Sequence, residues 1–141
     1  MPEASTVEDR EIVDQAAKYS MTGPSRLQAL IDAVRYCERR GIPGAFAECG
    51  VWRGGSVLAM ILTLQELGAE RDIYLYDTFE GMTEPTVHDV SPLDPPALET
   101  WKATERAGGR PWGYLFNRET VNEDAVRQVL VGTGYPSERL S

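Results

Sequence analysis

The chain has 141 residues, 42% hydrophobic and 26% charged, the length and balance of one globular domain built on a single core. No apolar run approaches the roughly 20 residues that a membrane-spanning helix needs. With 14 basic against 22 acidic residues the net charge is −8, so a phosphate backbone is repelled and nucleic acid is excluded as the main ligand. Two cysteines, Cys37 and Cys49, and one histidine, His88, cannot make a disulfide framework or a His/Cys zinc cage, so any metal would need oxygen ligands.

Residues 1–18 are polar and acidic, with a weak helical pattern through Ile12, Val13, Ala16 and Ala17, and are expected to fray or to pack as a short N-terminal arm. They lack the basic and apolar regions of a secretory signal, which predicts a cytoplasmic protein. From Pro24 onward Leu27, Leu30, Ile31, Val34 and Cys37 recur at helical spacing, with Gly41 and Pro43 beyond, and predict an amphipathic helix with a clear stop. The run AFAEC at 45–49 predicts a strand and GVWRGGS at 50–56 a glycine turn. Val57, Leu58, Ile61, Leu62 and Leu64 then predict a helix ending at Gly68. A second strand is expected at 73–76, IYLY, ending at Asp77; a helix between two strands makes them parallel, a βαβ unit with a right-handed crossover.

Residues 78–118 lose regular periodicity and carry Pro85, Pro92, Pro95, Pro96 and Pro111 with Trp101 and Trp112, the marks of a lid or binding loop. Thr120 to Glu123 offer a capping-box start for a helix through Val126, Val129 and Leu130, closed by Gly132, Gly134 and Pro136. Two parallel strands alone leave open edges and one-sided burial. The expectation is therefore the N-terminal part of a longer α/β domain, with a further strand beginning near Arg139, Leu140 and Ser141.

The chemistry concentrates where the first strand meets its helix. In Glu48-x-Gly50-x-x-x-Gly54, Gly50 permits a sharp turn, Gly54 and Gly55 permit close approach, and N–H groups at the helix start attract an anionic group. Glu48 stands where a dinucleotide fingerprint has glycine, and there is no GxxxxGK[ST], so pyrophosphate and ATP loops match poorly. A carboxylate there favours a cationic ligand end instead. Asp77 follows Gly54 by 23 positions, near the roughly 20 at which an acidic residue accepts from ribose hydroxyls. Together these suggest an adenosine with a positively charged amino-acid tail.

The strings YSMTGPSRLQAL, ECGVWRGGS, LYDTFEGM and TGYPSERL, in this order from Tyr19 to the chain's end, resemble the TylF/MycF, or macrocin O-methyltransferase, family of S-adenosylmethionine-dependent sugar O-methyltransferases of antibiotic biosynthesis. The resemblance implies a Rossmann-like class I methyltransferase fold, incomplete here, with residues 19–141 as the N-terminal part of the domain. Glu48, Gly50 and Trp52, in a loop with Val51, Arg53 and Gly54, would line the methionine end of the cofactor, Glu48 facing its ammonium. Arg53 would lie near the cofactor carboxylate or cap the turn. Asp77, Thr78, Phe79, Glu80 and Gly81 would receive the adenosine, Asp77 taking the ribose hydroxyls. Ser20, Met21 and Thr22 would fold over the cofactor, and residues 78–118 would form a lid over a sugar-bearing small molecule. Family members use magnesium held by an Asp cluster on later strands, so neither a metal ligand nor a catalytic base is assigned in this chain.

Plainer readings stand beside these. His88 is expected to be a solvated loop histidine, Cys37 and Cys49 small buried hydrophobes, and Arg35, Arg39 and Arg40 a solvated helix face. Trp101 and Trp112 either stack on a sugar or anchor the loop to its own domain. A catalytically incomplete module that binds cofactor weakly, or only self-associates through its open sheet edge, is the alternative to an enzyme. A nicotinamide-dependent enzyme is disfavoured by Glu48.

Overall fold

The structure is a computed structural model and describes residues 7–109, 111–113, 115 and 117–141. Its elements in chain order are α1 (Val7–Ala17), α2 (Pro24–Arg39), β1 (Phe46–Cys49), α3 (Gly55–Glu66), β2 (Ile73–Tyr76), α4 (Ala97–Arg106), α5 (Arg118–Val121), α6 (Glu123–Val131) and a 3-10 turn at Ser137–Arg139. No helix among the described residues is long and apolar enough to cross a membrane.

The two strands pair in parallel, Phe46 with Ile73 through Cys49 with Tyr76, as an intervening helix demands. On the other edge of β2, Leu140 forms a parallel bridge with Ile73. Ser141 donates to the Ile73 carbonyl at 3.1 Å and accepts from the Leu75 N–H at 2.7 Å. A third parallel segment therefore starts where the sequence placed one, and the order 140s–β2–β1 is that of half a doubly wound sheet.

α3 is apolar on nearly every side because it is the central post of the fold. Val57, Ile61 and Leu64 are fully buried in a core shared with Val34 of α2, Ile73 of β2, and Val126 and Leu130 of α6; each such side chain stabilises by about 1.5–3 kcal/mol. Residues 7–17, expected as part of an arm, form a helix whose Ile12, Val13 and Ala16 are buried against Leu27, Ile31 and Ala59. Polar chemistry ties the same three helices. Arg35 of α2 pairs with Asp9 of α1 at 2.5 Å and with Glu66 of α3 at 2.6 Å, and Gln28 donates to Asp9 at 2.9 Å. Arg35 thus departs from the solvated face expected of it: Asp9 is buried, and a buried carboxylate requires a partner.

Three further expectations change. Residues 78–118 contain a helix, α4, which buries no residue completely; Ala97, Leu98 and Trp101 share one side of it, a short apolar face that follows directly on Pro95 and Pro96. The last long helix is capped by Asn122, whose side chain accepts from the Ala125 N–H at 2.9 Å. Thr120 instead closes the short α5, donating to the Asn117 carbonyl. Cys49, expected to be buried, is exposed, because Ala47, Cys49, Tyr74 and Tyr76 share the sheet face opposite α3 and none of them is covered; Cys37, near the end of α2, is only partly buried.

Candidate functional site

Parallel pairing sets the carboxyl ends of β1 and β2 side by side, and open α/β sheets bind ligands in the crevice outside those ends. An open cleft of about 170 Å³ lies there, lined by Met21, Gly50, Trp52, Asp77, Gly81 and Val121. The first five are residues singled out by the sequence; Val121, in α5, carried no signal beyond being apolar.

The turn after β1 begins at Gly50, whose φ of +88° only glycine adopts readily and whose N–H donates to the Tyr76 carbonyl at 2.8 Å. Trp52 follows with φ +53°, and in the turn after β2 Phe79 has φ +55°; such values in bulky residues are uncommon and cost about 1–2 kcal/mol each. Asp77 stands between them. Its Oδ2 accepts from the N–H groups of Val51 at 2.7 Å and Trp52 at 3.0 Å, and its Oδ1 from Phe79 at 2.9 Å. Burial pushes the Asp77 carboxyl up, but the N–H groups of Phe79, Trp52, Val51 and Thr78 outweigh it and hold the group below the usual carboxylate range. The loop's amides therefore already hold an anion, the chain's own carboxylate, which agrees with the poor match to a phosphate loop.

Val51 and Gly54 face inward: Val51 is buried in the core, and Gly54, at φ +90°, lies so close to Val126 that a Cβ would meet its Cγ1 at 3.2 Å. Phe79 packs on the same core. Glu48, half-buried on β1, has its pKa raised by burial more than the Ser56 side chain lowers it. Arg53 lies over the rings of Tyr19 and Trp52, 5.3 Å and 5.6 Å from their centroids, and reaches the Lys18 carbonyl at 3.4 Å.

The segment between α1 and α2 closes one end of the cleft. The Gly55 N–H donates to the Tyr19 carbonyl at 3.0 Å, seating Ser20 directly on the start of α3. The Ser20 and Thr22 hydroxyls bond each other at 2.8 Å, and Met21 is left exposed at the cleft. The Trp52 indole N–H donates to the Leu115 carbonyl, tying the glycine turn to the long loop after β2. Glu80 and Gly81 also line a second hollow with Glu84, Trp101 and Arg118, while Thr78 is exposed. Trp101 and Trp112 pack on each other with centroids 6.3 Å apart. His88 is exposed in the loop.

The sequence model of the family described as Macrocin-O-methyltransferase (TylF) matches residues 5–103. The chain belongs to this family. Within the TylF family it is 40% identical over 67 residues to the 8-demethyl-8-(2,3-dimethoxy-alpha-L-rhamnosyl)-tetracenomycin-C 4'-O-methyltransferase of Streptomyces olivaceus, covering 47% of this chain and 26% of that protein. It is 34% identical over 77 residues to the mycinamicin III 3''-O-methyltransferase of Micromonospora griseorubida, covering 54% of this chain and 30% of that one. The chain thus matches less than a third of either relative's length. The O-methyltransferase NovP shares the fold over 86% of this chain and 45% of its own, with a TM-score of 0.60 at 21% identity. Of the strings that carry the TylF resemblance, TGYPSERL at 133–140 lies outside the matched residues, and its work here is structural. The Tyr135 hydroxyl bonds both backbone groups of Arg71, and Arg139 pairs with Glu70 and Asp72.

Proposed function

We propose that this chain is the cofactor-binding part of an S-adenosylmethionine-dependent O-methyltransferase whose acceptor is a sugar hydroxyl of a small natural product. The observation that carries it is the convergence of the ECGVW turn and the DTFEG turn on one cleft at the carboxyl ends of β1 and β2. Beyond the residues that line the cleft, Glu48 is the carboxylate this reading gives to the cofactor's ammonium, and Arg53, over the rings of Tyr19 and Trp52, the cation it gives to the carboxylate. Trp52, Met21 and Val121 supply apolar surface. When bound, the cofactor supplies a methyl group on a sulfonium. The chain's own residues orient it and exclude water around it, and positioning of this kind accounts for much of the rate in such transfers. The loop of residues 78–118, joined to the cleft through Trp52 and Leu115, is the lid on the acceptor side. The names of the two relatives support a glycoside acceptor. Among the described residues no three His, Cys, Asp or Glu side chains gather to hold a metal ion, and magnesium does not fit this part of the domain.

Titration calorimetry tests the reading. S-adenosylhomocysteine binding without NAD binding is expected; NAD binding alone, or no binding of S-adenosylhomocysteine, refutes it. A second reading, a module that self-associates, is favoured by the exposed sheet face with Tyr74 and Tyr76 at 42% and 59% accessibility. Concentration-dependent sedimentation without nucleoside binding would support it over the first.

A further inference from the structure

The acidic residue at the end of β2 has a task that does not involve a ligand. Among the described residues, non-glycine left-handed conformations occur at Trp52, Phe79 and Trp112. The backbone N–H groups of the first two both donate to one carboxylate, that of Asp77, on different oxygens. The third N–H on that carboxylate belongs to Val51, immediately before Trp52. Strained backbone persists only where its surroundings over-determine it, and three charge-assisted hydrogen bonds on one side chain supply that constraint. The two held residues belong to the two turns that meet at the cleft, Trp52 after β1 and Phe79 after β2. Trp52 lines it and passes its indole N–H on to Leu115 of the lid, while Phe79 anchors the other turn in the core.

We propose that Asp77 is a positioning residue whose carboxylate clasps the backbones of Val51, Trp52 and Phe79 and fixes the turns after β1 and β2 before any ligand arrives. Three of the roughly four acceptor positions of a carboxylate are then committed, and the Thr78 N–H also acts on the same carboxylate. Asp77 acts on a nucleoside chiefly through the shape it imposes on the two turns. The clasp is a property of the unliganded chain; its consequence for ligands rests on the cofactor reading above. The lowered pKa of Asp77 accords with it, since N–H donors favour the charged form.

The test starts on the 141-residue chain without ligand. Amide hydrogen exchange read by NMR should show Val51, Trp52 and Phe79 protected, and Asp77→Asn should raise their exchange about tenfold or more while amides of the β1–β2 ladder keep theirs. Unchanged protection at the three amides overturns the proposal. Phe79→Gly serves as the second variant, because glycine adopts positive φ unaided. Asp77→Asn should cost less stability in the Phe79→Gly background than alone, and strict additivity counts against the clasp. S-adenosylhomocysteine is then compared with its 2′,3′-dideoxy analogue. A clasp weakens binding of both by the same factor in Asp77→Asn, whereas weakening of the parent alone makes Asp77 a ribose contact and overturns the proposal. If neither compound binds the wild-type chain, the cofactor reading fails, and the amides and the double-mutant comparison decide the clasp alone.

Discussion

Gly55 is the point at which the helical layer presses on the cleft, and Gly55→Ala measures that contact. A Cβ at this position would meet the Ser20 Cβ at 2.6 Å, the Ala16 carbonyl oxygen at 2.7 Å and the Ser20 nitrogen at 2.7 Å. Two of the three are backbone, so no side-chain rotation relieves the overlap. Alanine in a helix is favoured over glycine by up to about 1 kcal/mol. Overpacking costs about 1–3 kcal/mol, and pushing the segments apart also lengthens the Gly55 to Tyr19 hydrogen bond, worth about 1 kcal/mol. The net expectation is a loss of about 1–3 kcal/mol, or a fall in Tm of about 3–10 °C for a chain of this size, read by thermal and urea unfolding. Gly68→Ala is the control: Gly68 has φ +63° but open space around a Cβ, so it should lose about 1 kcal/mol from backbone strain alone. Gly55→Ala should also displace Met21 and weaken S-adenosylhomocysteine binding, which Gly68→Ala should leave intact. A Gly55→Ala protein as stable as wild type would refute the packing argument.

Glu48→Gln separates binding from folding. The folded-state pKa of Glu48 lies above its ordinary value, so its contribution to stability is greatest below that ordinary value and is lost as pH rises through the folded one. The amide should therefore raise Tm at pH 7 and flatten the pH dependence of stability above pH 4.5, the ordinary value, while S-adenosylhomocysteine affinity falls about tenfold or more; unchanged affinity would remove Glu48 from the site. Tyr135→Phe strips a hydroxyl that donates to the Arg71 carbonyl at 2.7 Å and accepts from its N–H at 2.8 Å. It should cost about 1–3 kcal/mol by leaving both groups unpaired, and a denaturation midpoint within error of wild type would argue against it. Asn122→Ala removes the cap of α6 and should cost about 1 kcal/mol, with Asn122→Asp as the rescuing substitution. If both unfold alike, the cap is not what holds that end.

Local patterns made the βαβ unit legible. The apolar spacing from Leu27 to Val34, the four-residue β-rich run IYLY and the glycines between Cys49 and Ser56 are each one-dimensional signals with one good three-dimensional solution, and the helix between the strands compelled parallel pairing. A further strand near Arg139, Leu140 and Ser141 was readable because two parallel strands cannot bury themselves. α4 escaped notice because its apolar face is short, Ala97, Leu98 and Trp101, and stands directly behind Pro95 and Pro96. Arg35 was misread because its partner Asp9 lies 26 positions away, and only the packing of α1 on α2 brings them together.

The site divides in the same way. Sequence alone determined that a glycine turn and an acidic strand end belong to one crevice, because the carboxyl ends of neighbouring parallel strands must be adjacent. The tertiary structure decided what each side chain does there. Asp77 spends three acceptor positions on backbone N–H groups, Val51 and Gly54 turn into the core, and Val121 arrives from a helix 44 positions beyond Asp77. Those assignments depend on where the chain folds back on itself, which spacing along the sequence does not encode.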